Sequence, residues 1–290
     1  AQVCALVYSF DVESEGEASH VNALAQLAGL TPPQLFAMIA TLKSRDLVQS
    51  RSKWRAVLPH ALANRLAKQA LQHLQPGRIE QALAKDEHLL KSFGRRLSYL
   101  HDSKEAAQLA ERWFADPSWL GKPDQLNLIE MSLFQHLASV TPAHALATLE
   151  KTSQKEGTAF LSSGAHWTDW PKLLRHLAHD AASFQTAALL MHAVCIQSDD
   201  KSRLDSWLEM FGLYLSGTKA TVEQRLAVVH HLLASPNQTA RQHAVEALGF
   251  MLKTGDFRAH HDFRFGSRPE RVGWVPATVD EQMHWFQAVL

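Results

Sequence analysis

Apolar residues recur at α-helical spacing along almost the whole chain: Leu24, Leu27 and Leu30; Leu62, Leu66 and Leu71; Leu173, Leu174 and Leu177; Leu226, Val229, Leu232 and Leu233. Side chains three and four apart share a helix face, so each run can bury a stripe against a neighbour. A mainly α fold follows. One stretch breaks the rhythm. Between Asp46 and Leu58, Leu47-Val48-Gln49 and Trp54-Arg55-Ala56-Val57-Leu58 flank the polar tip Ser50-Arg51-Ser52-Lys53, which predicts a small two-stranded hairpin.

The hairpin has a telling neighbourhood. A helix is expected from Ser19, its N-cap, to Ala28, with Gly29 as a left-handed stop. Thr31 caps a second helix with Pro32 and Pro33 in its first turn. That helix is expected to place Leu35, Phe36, Met38, Ile39 and Leu42 on its inner side before yielding to the hairpin. Helix, turn, helix and wing make a winged helix, followed by a long helix from Pro59 to about Leu74.

Beyond Pro76-Gly77, helical segments alternate with short breakers: Asp116-Pro117, Gly121-Lys122-Pro123, Thr141-Pro142, Ser163-Gly164, Ser216-Gly217-Thr218 and Ser235-Pro236-Asn237. The segment Ser235 to Gly255 carries Ala240, Ala244, Ala247 and Leu248 on one face, with Arg241 outside, like one helix of a HEAT-type pair. No strict period emerges, so the expectation is an irregular HEAT- or TPR-like helical array over residues 76–290, after a winged-helix domain over residues 1–75. Residues 260–278, with Gly266, Pro269, Gly273 and Pro276, interrupt the pattern before a last helix from about Val279. They read as a functional loop or a capping element.

Composition excludes several classes. Lys plus Arg and Asp plus Glu both number 29, so no net field draws the whole molecule toward nucleic acid or an acidic membrane. The two cysteines, Cys4 and Cys195, offer no disulfide framework, and a cytoplasmic setting is expected. The longest uncharged stretch, Ala181 to Ser198, contains Ser183, Gln185, Thr186, His192 and Gln197, and reads as a buried helix, not a membrane span. No signal-peptide layout is present. The start at Ala1-Gln2-Val3, without an initiator Met, suggests a piece of a longer chain.

The run Leu24 to Leu71 resembles the winged-helix domain of STAND signalling ATPases, the group that includes nucleotide-binding leucine-rich-repeat receptors and bacterial antiphage sensors. Leu24-Ala25-Gln26-Leu27-Ala28-Gly29-Leu30 looks like that family's first helix and turn, and Ile39 through Val48 like the exit from its second helix. The segment Val57-Leu58-Pro59-His60-Ala61-Leu62-Ala63-Asn64-Arg65-Leu66-Ala67 looks like its Met-His-Asp-Leu motif. The resemblance covers about a sixth of the chain. It implies that His60 contacts an ADP phosphate in the complete protein, a role suited to a helix N-terminus, where unpaired amides and the dipole favour an anion. Ala61 replaces the motif's aspartate, so no role of that carboxylate carries over. The alternative is that His60 packs or caps locally.

A P-loop needs Gly-Lys-Ser/Thr after an earlier glycine; the one Gly-Lys pair, Gly121-Lys122, precedes Pro123. The resemblance therefore implies a nucleotide-binding core upstream in the same chain, with ATP or ADP and Mg bound there, none held by this fragment and no catalysis by it. The expected function is a regulatory or sensor segment that switches between two packings, with a protein ligand or oligomer partner on the array.

Two other classes stay open. The patch Lys43, Arg45, Arg51, Lys53, Trp54 and Arg55 suits phosphate contacts on a duplex, which would make the chain a winged-helix transcription regulator with a helical ligand or dimerisation domain. Against that, the groove-facing helix offers mainly Gln34, Ala37 and Thr41, a thin set for reading bases, and a solvated face or protein interface competes. The third class is a helical protein-binding scaffold.

The 17 histidines produce chance pairs: His230-His231, His260-His261-Asp262, His192 with Cys195, and His179-Asp180. None reaches the ligand count of a zinc site, and no structural metal is expected. Cys195 lies in an apolar helical run and is expected to be a buried, inert thiol. Trp113, Trp119, Trp167, Trp170 and Trp207 are expected to pack between helices.

Overall fold

The computed structural model describes residues 1–16, 19–117, 119–198, 200–259, 261–269 and 272–290. The chain is mainly helical, with one small antiparallel sheet. It forms two compact units, residues 1–121 with 126–141, and residues 122–125 with 142–290. Pro76-Gly77 lies inside the first.

In the first unit a short helix α1 (Gln2–Ala5) precedes strand β1 (Phe10–Asp11), helices α2 (His20–Ala28) and α3 (Pro32–Ser44), strands β2 (Val48–Arg51) and β3 (Trp54–Val57), and helix α4 (His60–His73). Local chemistry sets these boundaries. Ser19 Oγ accepts from the Asn22 amide, and Gly29 closes α2 with φ +66°. Thr31 and Gln34 form a reciprocal capping box at the start of α3. The axes of α2 and α3 meet at 94°.

The hairpin β2–β3 pairs Val48 with Val57 and Arg51 with Trp54, and β1 adds a third strand, pairing Phe10 with Arg55, in the order β1-β3-β2. The sequence predicted two strands. A two-residue strand is too short to show an alternating pattern, but buried Phe10 anchors it.

The second correction concerns α3. Leu35 and Ile39 are buried as expected, but Phe36 is 52% exposed and Met38 44%. Burial of Leu35 and Ile39 fixes one helix face, and positions 36 and 38 lie a hundred degrees off it to either side. The outer surface of α3 is therefore partly apolar.

Helices α5 (Pro76–Leu83), α6 (Glu87–Leu97), α7 (Lys104–Ala115) and α8 (Leu128–Ala138) complete this unit. Buried Ile79, Ala82 and Leu83 carry α5 against α2, which is why the change of character near residue 76 does not separate two bodies. α6 packs on α8 and α4 on α7.

The second unit contains a 3-10 turn (Pro123–Gln125), then helices α9 (Pro142–Glu156), α10 (Ala159–Ser162), α11 (Asp169–Leu177), α12 (Ala181–Ile196), α13 (Lys201–Leu208), α14 (Val222–Leu233), α15 (Gln238–Met251) and α16 (Val279–Val289). α12 packs against α9, α10, α11, α13 and α14. Its apolar residues are spread around the whole circumference, the pattern of a helix surrounded by protein. Among the described residues no single helix is long and apolar enough to cross a membrane.

Part of the segment 261–278 is strapped to the loop before α14. Gly217 N–H donates to Val272 O at 3.0 Å and Trp274 N–H to Thr218 O at 2.7 Å. Between them Gly273 has φ +99°, and a Cβ there would lie 2.7 Å from both Thr218 N and O. Only glycine fits this approach.

Candidate functional site

His60 is the first residue of α4 and its ring is exposed. Two features put it there. β3 ends at Val57, and Pro59 stands at the N-cap, where a proline can stand without forfeiting a helical hydrogen bond. Pro59 supplies no side-chain acceptor, so the first amides of α4 are not capped by the residue before them.

The imidazole stacks on Tyr8, with ring centroids 5.2 Å apart and planes 20° from parallel. Its Nε2 is 3.5 Å from Tyr8 Oη, a long polar contact. Tyr8 in turn stacks on Tyr99 at 6.1 Å, and the guanidinium carbon of Arg95 lies 3.8 Å from the Tyr8 ring centroid, that of Arg96 5.4 Å. His60 is thus neither sealed in apolar packing nor alone; it shares one aromatic surface with two arginines.

Arg96 is fully buried. Nη1 donates to Asn64 Oδ1 on α4 at 2.6 Å, while Nε and Nη2 have no hydrogen-bond partner. Burial pulls its pKa below the usual arginine value, against the opposing influence of Tyr8 and Tyr99. The exposed His60 and Arg95 stand beside an uncapped helix N-terminus, a setting suited to a small oxyanion, while the Arg96 guanidinium lies sealed behind them.

The sequence pointed to His60 but missed Tyr8, Arg95, Arg96 and Tyr99. Nothing local joins residues 8, 60 and 95; they meet because α1 packs on α4, and because Tyr8 N–H donates to Ser92 O at 3.0 Å. Adjacent Arg95 and Arg96 point a hundred degrees apart on α6, so their convergence on Tyr8 needed the tertiary fold.

The basic patch is divided. Lys43 and Arg45 are exposed at the end of α3, and Arg51 and Lys53 at the hairpin tip. Lys53 Nζ pairs with Asp11 Oδ2 at 2.9 Å and lies 5.5 Å above the half-buried Trp54 ring. Burial pushes the Asp11 carboxyl up, but the Lys53 and Glu13 hydrogen bonds with the Lys53 charge outweigh it and hold the pKa below the usual value. Arg55 Nη1 donates to the carbonyls of Ser52 at 2.6 Å and Trp54 at 2.9 Å. Lys53 and Arg55 are therefore tied to local acceptors.

Among the described residues no three His, Cys, Asp or Glu side chains gather as a metal-binding group. His260 lies outside the described residues. His192 Nε2 and His243 Nδ1 form a buried pair at 3.2 Å, a partnership across α12 and α15 that the sequence did not suggest. Cys195 is buried, and burial raises its thiol to about 12, as burial raises Cys4 to about 11. Trp113, Trp170 and Trp207 pack in the interior, but Trp167 is 46% exposed, contrary to expectation. It sits in the turn before α11 and not within a helix.

No family model matches this chain, and comparison with curated proteins and with solved structures finds no similar protein.

Proposed function

We propose that the chain is a regulatory portion of a STAND-type signalling ATPase: a winged helix formed by α2, α3 and the β1-β3-β2 sheet, followed by an irregular helical array. In this reading a nucleotide-binding core elsewhere in the same polypeptide holds ATP or ADP with Mg, and the protein works in the cytoplasm in signal transduction of the kind used in antiviral defence. The chain itself makes and breaks no bond. It biases a switch between two packings, with the array receiving a protein ligand or an oligomer partner.

The observation that carries the reading is His60, exposed at the uncapped start of the helix that follows the hairpin and grouped with Tyr8, Arg95 and Arg96. The exposed His60 and Arg95 fit a phosphate presented by a neighbouring module. The right angle between α2 and α3 and the hairpin after α3 support the winged-helix description. The exposed Phe36 and Met38 favour a protein-facing α3 over a base-reading one. In the intact protein, His60→Ala should raise basal signalling in the absence of a trigger. Unchanged basal signalling removes His60 from the switch.

A further inference from the structure

The second unit contains a cavity of about 700 Å³ whose wall is formed by α11, α13 and the start of the 261–278 segment. That size suits a small-molecule ligand. Its distinguishing feature is positive charge that has been taken out of water. Arg175 is 1% exposed and Arg203 7%, and both line the cavity. Lys172 stands exposed at its rim.

Both guanidinium groups have donors to spare. Arg175 Nη2 donates to the Ser216 carbonyl, but Nε and Nη1 have no hydrogen-bond partner. Arg203 Nε lies 3.4 Å from Asp200 Oδ2, and its buried Nη1 has no partner. Unmet buried donors on a charged group are costly, and a fold tolerates them chiefly where something else completes them. Fully buried Arg225 behind Arg175 adds to the field, for it bonds only the neutral acceptors Gly212 O, Ala220 O and Ser216 Oγ. The neighbouring Glu209 is the acid that attracts Arg175. His261, packed on His176 at 4.8 Å between ring centroids, also lines the cavity; burial, then the charge of Arg175, pushes it down to about 3, so this ring stays neutral.

We propose that this cavity binds a small phosphate-bearing ligand, with Arg175 and Arg203 holding the phosphate and Lys172 meeting it at the rim. The open nitrogens, Nε and Nη1 of Arg175 and Nη1 of Arg203, lie on two helices and not along one guanidinium edge, an arrangement that the tetrahedrally spread oxygens of a phosphate meet more readily than the two coplanar oxygens of a carboxylate. The cavity is larger than a bare phosphate, and Trp167 lines it with a half-exposed ring that Arg203 covers at 4.6 Å. That ring offers a stacking surface to a planar group on the ligand. This site is separate in residues and in unit from the one around His60, and stands or falls independently of it.

The test is calorimetric titration of the whole chain with inorganic phosphate, adenosine monophosphate and succinate at one ionic strength. Binding of phosphate or the nucleotide is expected, weakened at least tenfold by Arg203→Gln and less by Lys172→Gln. A nucleotide binding at least tenfold tighter than phosphate would identify a phosphomonoester with a ring as the natural class; equal binding would identify free phosphate. Because Arg175 also bonds Ser216, Arg175→Met perturbs the fold as well, so Arg203→Gln, checked for an unaltered melting temperature, decides. The proposal is overturned if neither phosphate nor nucleotide binds, if Arg203→Gln leaves binding intact, or if succinate binds as tightly.

Discussion

The His60 imidazole lies nearly parallel to the Tyr8 ring at a centroid separation of 5.2 Å, and the same tyrosine carries Arg95 at 3.8 Å. One side chain from the N-terminal segment therefore positions a residue at the start of α4 and another on α6. Aromatic pairs and cation–π contacts each contribute of the order of 0.5–1.5 kcal/mol. Tyr8→Ala should lower the unfolding free energy of the chain by about 2 kcal/mol, read by urea denaturation, whereas Tyr8→Phe should cost well under half of that. Equal losses would place the stabilisation in the hydroxyl and not in the stacked ring.

Gly273 presses against Thr218 in a left-handed conformation, with Trp274 N–H bonded to Thr218 O on one side. Gly273→Ala combines backbone strain with a clash against main chain, which cannot move aside as a side-chain tip can. A loss of about 2–3 kcal/mol is expected. Hydrogen exchange should localise it as faster exchange at the Gly217 and Trp274 amides, and protection equal to wild type at both would contradict the strap.

Acid should loosen the second unit through His192. Burial, then His243 and His231, lower its pKa from 6.5 to about 4. Because the folded pKa is depressed, the unfolded chain binds the proton first. Stability is full above about pH 6.5 and falls as pH drops toward 4. The share of this one residue is of the order of 2–3 kcal/mol. His192→Leu should lose visibly less stability than wild type between those two pH values, measured by denaturant midpoints. Parallel pH curves would show that His192 is not the titrating group.

Binding to duplex DNA tests the basic patch. With Lys53 held by Asp11, Arg55 by two carbonyls, and Phe36 and Met38 on the outside of α3, the chain is expected to show no sequence-dependent binding. Tight, salt-sensitive binding abolished by Arg51→Gln with Lys53→Gln would restore the transcription-regulator reading.

The elements most legible in the sequence were those whose information is local. Ser19, Gly29 and Thr31 mark their helix ends because capping and left-handed stops act over three or four residues. Polar residues 50–53 between two apolar runs announce the hairpin. What could not be read was long-range. β1 is two residues long and pairs with a strand more than forty residues away, and α5 closes onto α2, so the predicted division at residue 76 has no counterpart in the compact units. The same holds for sites. His60 was visible through a local motif, but Tyr8, Arg95 and Arg96 join it only in three dimensions. Arg175 carried an unread signal: a charge beside Leu174 within the apolar stripe of α11, at a position that must be buried if the helix packs.

The proposed reading of His60 as a phosphate contact is tested most directly by the rate of ADP release from the intact protein, in which that proposal requires a nucleotide-binding core joined to this chain. His60→Ala should speed release at least tenfold, with Arg95→Ala having a smaller effect in the same direction. Release at the wild-type rate from His60→Ala, in protein that remains folded, would contradict the assignment.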